Sequence, residues 1–268
     1  MTRLERLGFD PLRLVGAALF IGLWQVAAAS MAPILLPGPL SVLKRLSADF
    51  WSAPSLAYYG VEQASLYANL LYTTENVVIA VIVGAGLGAV TGLVAARVWL
   101  VRAIVDPIMM TAGTVPILIA APFLLIWFGV GRASAVSLVA FYVATILYLF
   151  AERAARNVDP IYEQYALTLG ASQQRTLRDI LIPATVPEML GGFRIALAGA
   201  WGLEAVSELL GSQSGMGKVL EVLAGATDAQ GIMATLLALG FTAILADAIA
   251  AGLIARFAAW STAGARRL

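Results

Sequence analysis

The chain has 268 residues, of which 60% are hydrophobic and only 12% charged, and its formal net charge is +1. Soluble domains are about 45–50% apolar and about 25% charged, so this balance excludes a soluble globular protein and points to an integral membrane protein. Cys and His are absent, which removes thiol chemistry, the usual zinc ligands and an imidazole base, and no basic stripe exists to hold nucleic acid.

Arg3, Arg6 and Arg13 precede an apolar run over 14–32 that ends in "AAASMA". A secretory signal with a small-residue cleavage site has this shape. The run is also long enough to cross about 30 Å of hydrocarbon, and more spans follow, which favours a retained first helix. Uncharged runs place further spans at 77–96, 107–131, 133–151, about 189–210, and 229–246 extending to about 255. No segment alternates with period two, so the expected fold is all-α, a polytopic membrane protein with six transmembrane helices. "FGVGRAS" leaves room only for a very tight turn between the third and fourth. The fifth is the weakest, because Arg194, Glu204 and Glu208 lie in or beside it.

Basic residues orient the spans. With the N-terminus inside, twelve fall on the cytoplasmic side, including Arg97, Arg102, Arg153, Arg156, Arg175, Arg178, Arg256, Arg266 and Arg267. Only Lys44, Arg45, Arg132 and Lys218 fall outside, and Arg194 stays unassigned. Both termini are therefore expected in the cytoplasm.

Two stretches imitate nucleotide loops. "GAGLGA" at 84–89 fits a dinucleotide fingerprint but sits in the middle of a span, where Gly84, Gly88 and Gly92 instead let another helix approach. "ELLGSQSGMGKVLE" at 208–221 resembles a phosphate loop, yet Ser212 replaces the leading glycine and Val219 the magnesium-binding hydroxyl. The topology also turns it away from cytoplasmic ATP. No G-x-S-x-G or H-E-x-x-H occurs, and no cofactor is expected.

Between the fourth and fifth spans lies "RNVDPIYEQYALTLGASQQRTLRDILIPATVPEML", residues 156–190. It predicts two short helices. Asp159 caps the first, Pro160 takes its first turn, and Gly170 stops it. Ser172 caps the second, which Pro183 limits, and Thr185 with Glu188 has capping-box spacing at the next start. A short helix presenting Tyr162, Tyr165, Ala166 and Leu169 suits a groove on another protein; one lying on the membrane surface would have the same periodicity.

This loop resembles the EAA motif of ATP-binding-cassette importer permeases, E-A-A-x-x-x-G-x₉-I-x-L-P. Ala166, Gly170, Ile180 and Pro183 match and Ile182 replaces Leu, whereas Gln164 and Tyr165 differ from the Glu and Ala of the motif. "ILLPGPLSVL", "TVPILIAAPFLLIWFGVG" and "AGAWGLEAVSELLGSQSGMG" are similar, in family order, to segments of the nitrate/sulfonate/taurine branch. The resemblance implies a type I importer fold, with residues 1–268 forming one permease domain and a coupling-helix loop at about 156–184. It implies a second permease copy, two cytoplasmic ATPase subunits that carry the ATP site, and an external substrate-binding protein, in the inner membrane of a prokaryote. Tyr162, Glu163, Gln164, Tyr165, Ala166, Leu167, Gly170 and Ala171 would dock the ATPase. Ser214, Gly215 and Gly217 would form an outer turn near the cargo.

The third and fifth helices line much of the path in that family, and Pro116 and Pro122 interrupt the third. Thr114, Pro116, Trp201, Glu204 and Glu208 are the path candidates. Glu204 and Glu208 share a helix face, and charges at membrane depth by default serve a function or a partner. Asp106 and Asp247 are read as paired or interfacial. The branch handles sulfonates, taurine, nitrate, bicarbonate and aromatic or pyrimidine compounds. A proton-coupled secondary transporter using Glu204, Glu208 and Asp247 is the alternative; it would leave the 156–183 loop without purpose.

Overall fold

The computed structural model describes residues 11–257, and these form helices and connecting turns with no strand among them. Arg3, Arg6, Arg266 and Arg267, used above for orientation, lie outside the described residues.

Helix α1 (Pro11–Ser30) occupies the first expected span, with an apolar part of only Leu14–Ser30. The turn after it is held by Trp24, whose Nε1 donates to the Pro37 carbonyl at 3.0 Å. Two short helices follow, α2 (Pro39–Asp49) and α3 (Pro54–Tyr58), each opened by a proline in its first turn, where the missing N–H costs nothing.

Helix α4 (Leu66–Arg97) starts where the Ser65 hydroxyl accepts the Ala68 N–H. It begins well before the expected 77–96 span. Asn69, Thr73 and Asn76 break the apolar run without breaking the helix, because all three are buried inside the protein. Its principal partner is α7 (Arg132–Asn157). Gly84, Gly88 and Gly92 face the Ala140, Ala144 and Tyr148 carbonyls so closely that a Cβ at any of the three would collide. The helix-packing expectation for these glycines holds: without a hydrophobic drive inside lipid, close backbone approach supplies the attraction.

The third expected span, 107–131, is not one helix. Helix α5 (Trp99–Thr114) starts eight residues earlier, includes Pro107, and ends at Val115–Pro116. A 3-10 turn (Ile117–Ala120) and α6 (Ala121–Phe128) follow, and the two halves are bent by 102°. Arg102 and Asp106 delay the uncharged run, but Asp106 is satisfied within the helix bundle by the Tyr148 hydroxyl. The tight turn to α7 uses Gly129 and Gly131 at positive φ, and the Gly131 N–H donates to the Gly211 carbonyl at 2.9 Å.

After the short helix α8 (Pro160–Thr168), α9 (Gln173–Thr176) runs through a π-helical turn (Leu177–Leu181) into α10 (Ile182–Gly211). Together they make one helix, Gln173–Gly211, of 39 residues. The expected stop at Pro183 and new cap at Thr185 are corrected. The Ile182 N–H donates back to the Leu177 carbonyl, so the wider π turn absorbs the proline instead of ending the helix. Thr185 donates to the Ile182 carbonyl and caps nothing. Helix α11 (Met216–Gly225) and helix α12 (Ala229–Phe257) complete the chain, with the Asp228 carboxylate accepting the Gly231 N–H at the start of α12.

Among the described residues four helices are long and apolar enough to cross a membrane, and the bent α5–α6 pair makes a fifth crossing if taken as one. The core lies where α4, α7 and α10 meet, around Val77, Val139, Val143, Ala196 and Trp201. α8 stands at one end of this bundle and α11 at the other.

Candidate functional site

At the α8 end, a nine-residue helix is held at both termini. Asp159 Oδ1 accepts the Ile161 N–H at 2.9 Å. At the other end the Gly170 N–H donates to the Leu167 carbonyl and the Ala171 N–H to the Ala166 carbonyl, both at 3.0 Å. This pair of bonds needs a left-handed residue between them, and Gly170 has φ +82°. Glu163 pairs with Arg97 at the end of α4, which holds its carboxyl below the usual glutamate range. Nothing in α8 is buried. Tyr162 and Tyr165 are more than 60% exposed and Leu169 87%, on one face with Ile161. Ala166 and Ala171, by contrast, are half-buried, so the presented surface is aromatic and aliphatic without Ala166. Gln164 and Leu167 are exposed at its flanks.

At the α11 end, the SGMG turn is a buried knot. Glu208 is fully buried, and its carboxylate accepts the Gly217 N–H and the Thr73 hydroxyl, each at 2.9 Å. Thr73 Oγ1 in turn accepts the Met216 N–H, and Asn69 Oδ1 accepts the Gly215 N–H at 2.8 Å. Ser214 donates to Glu62 at 2.7 Å. The start of α11, with its exposed backbone donors, is thus filled by a carboxylate from its own chain. Ser214, Gly215 and Gly217 are buried, and of residues 212–217 only Gln213 is exposed. The turn is an anchor between α4, α10 and α11 rather than an open receiving surface. The Gly215, Met216 and Gly217 N–H groups that would cradle a phosphate are all taken, and Lys218 is turned to Glu221 at 2.8 Å.

The five path candidates do not share a surface. Thr114 and Pro116 are exposed at the break between α5 and the 3-10 turn. Trp201, Glu204 and Glu208 point into the helix bundle, with Trp201 lining an apolar groove of about 590 Å³ between α4, α10 and α12. Neither glutamate lies on the exposed stripe of α10, which carries Ile195, Ala198, Gly202, Val206 and Leu209. Glu204 lies near Asn76, yet neither side chain closes a hydrogen bond among the described residues, and nor does Trp201 Nε1.

Arg194, which the balance of basic residues assigns to neither side, meets Asp247. Nε donates to Oδ1 at 2.9 Å and Nη2 to Oδ2 at 2.6 Å. The signal was present in two opposite intramembrane charges, but only helix adjacency shows them to be a pair.

A family model described as "Binding-protein-dependent transport system inner membrane component" matches residues 64–261. The taurine transport system permease protein TauC of Escherichia coli (strain K12) is 28% identical over 199 residues, covering 74% of this chain and 70% of that protein. The putative aliphatic sulfonates transport permease protein SsuC of Bacillus subtilis (strain 168) is 26% identical over 205 residues, 76% of this chain and 70% of that protein. Among solved structures, an inward-facing form of the MetNI methionine ABC transporter superposes with a TM-score of 0.62 at 20% identity. It covers 72% of this chain and 95% of that one, a likeness of fold alone.

Proposed function

The chain belongs to the family of binding-protein-dependent transport system inner membrane components, and on that premise we propose that it imports a small solute, a sulfonate, taurine, nitrate, bicarbonate or an aromatic or pyrimidine compound. The whole chain acts as one transmembrane domain, paired with a second copy. Two ATPase subunits sit below it and a substrate-binding protein above, with both termini in the cytoplasm. Taurine and aliphatic sulfonate permeases among its relatives support the cargo class.

The observation that carries this reading is the construction of α8. A two-turn helix pinned at both ends, with Tyr162, Tyr165 and Leu169 exposed, is a rigid projection suited to a cleft on another protein. Tyr162 through Ala171 would form the contact. Behind it the Gln173–Gly211 helix runs unbroken to the turn before α11. Closure of the ATPases on α8 would therefore displace α10, and with it the exposed stripe that two copies present to each other. Thr114 and Pro116, at the break after α5, would border the path on its other side.

Uptake into vesicles carrying the permease, its ATPase and its binding protein tests the reading. We expect accumulation that needs both ATP and the binding protein and survives collapse of the proton gradient. Uptake driven by the proton gradient without ATP would establish the secondary-transporter alternative instead.

A further inference from the structure

Two charges sit at membrane depth on a face that nothing in the described chain covers. Thr73 and Glu208 are hydrogen-bonded and so lie level with each other. From Thr73 the uncharged stretch of α4 begins four residues further along, at Val77, and from Glu208 the pair's arginine lies fourteen residues back along antiparallel α10. At 1.5 Å per residue these are about 6 Å and about 21 Å, which puts Arg194 about 15 Å inside the apolar slab. That is within a hydrocarbon layer about 30 Å thick. The side chains of Arg194 and Asp247 are nevertheless 48% and 39% exposed. Arg194 shares its face with Ile195, Ala198 and Gly202, which are small or apolar and exposed. Charges facing lipid tails are expensive, so a half-exposed ion pair at this depth belongs on a water-filled path.

The geometry of the pair leaves one side open. Asp247 occupies the Nε–Nη2 fork of the guanidinium with both its oxygens. Arginine has five N–H donors. Two are used here, and the Nη1–Nη2 edge points away from the carboxylate. That edge matches two oxygens of a planar or tetrahedral oxyanion. Asp247 meanwhile fixes the guanidinium plane and neutralises its charge at rest, so an arriving anion is held weakly enough to leave.

Resting on the importer reading above, we infer that Arg194, oriented by Asp247, is an oxyanion station within the path, taking the sulfonate, nitrate or carboxylate group of the cargo in transit.

The chain has no cysteine, which permits a test that does not require the cargo. Ala198→Cys places one thiol a helical turn from Arg194 on the same face. In vesicles containing the assembled complex, this thiol is reacted with a sulfonate-bearing and with a trimethylammonium-bearing methanethiosulfonate. Both should react, and adding Arg194→Gln should lower the sulfonate-to-ammonium rate ratio roughly tenfold, the scale on which a local field changes encounter. Arg194→Gln also bares the Asp247 carboxylate, which repels the sulfonate reagent by itself, so the double variant R194Q/D247N, which removes both charges, carries the test and should show a smaller fall in the same direction. An unchanged ratio in the double variant overturns the oxyanion station. A thiol that reacts with neither reagent overturns its place on the path. ATP-driven uptake by the parent vesicles reports on the importer reading separately, so either idea can fail alone.

Discussion

The carboxylate of Glu208 accepts the backbone N–H of Gly217, nine positions on, at 2.9 Å, closing a loop between the end of α10 and the first turn of α11. One carboxylate thereby ties three helices, since Thr73 of α4 donates to it as well. The glycines follow from this contact. A Cβ on Gly215 would strike the Glu208 carboxyl group, and one on Gly217 the Ala205 carbonyl.

Gly215→Ala should therefore lower stability by about 2–4 kcal/mol, combining overpacking with a backbone at φ +101° that a side chain resists. Thermal unfolding of the detergent-solubilised protein reads this as a lower Tm. A wild-type Tm would show that the knot can open without cost.

The two buried glutamates should separate in the same assay. Glu208→Ala strands the Gly217 N–H and leaves the Thr73 hydroxyl without its acceptor, at about 1–3 kcal/mol for each buried group. Glu204→Gln breaks no hydrogen bond formed among the described residues, and a neutral amide is easier to bury than a carboxylate. Its Tm should match or exceed the parent's. Equal losses in both variants would mean that Glu204 also has a partner.

Gly170→Val puts a β-branched side chain at φ +82°, with nothing within 4 Å to collide with. The penalty is local backbone strain, on the order of 1–3 kcal/mol, and falls on the end of α8. The membrane helices should keep their Tm while the yield of co-purified ATPase drops. Full recovery of ATPase on the variant would dismiss α8 as the docking element.

Acid should loosen α8 through Glu163. The Arg97 hydrogen bond depresses its carboxyl pKa. A depressed carboxylate contributes stability above its unfolded value, about pH 4.3, and that stability is lost as pH falls through the folded value. The opening free energy that hydrogen exchange reports for residues 160–170 should be flat from neutral pH to about pH 5 and fall below about pH 4. In Glu163→Gln the step should vanish, and a step that persists would assign it to another group.

Composition alone settled that the chain lives in a membrane, because 60% hydrophobic residues leave too few charges to solvate a globule. Local chemistry placed the caps of α8 and α9, since Asp159, Gly170 and Ser172 act on backbone groups within five residues of themselves. Glycine spacing at 84, 88 and 92 marked a helix seam for the same reason: periodicity needs no knowledge of the partner. Tertiary structure decided the rest. Whether Pro183 ends a helix depended on a π turn, and a proline carries no mark of the bond that replaces its own. Whether Glu208 faces a path or the interior depended on which turn of α11 arrives to donate to it. The pairing of Arg194 with Asp247, 53 residues apart, depended on two helices standing side by side. Charges are visible in a sequence, but their partners are fixed only by packing.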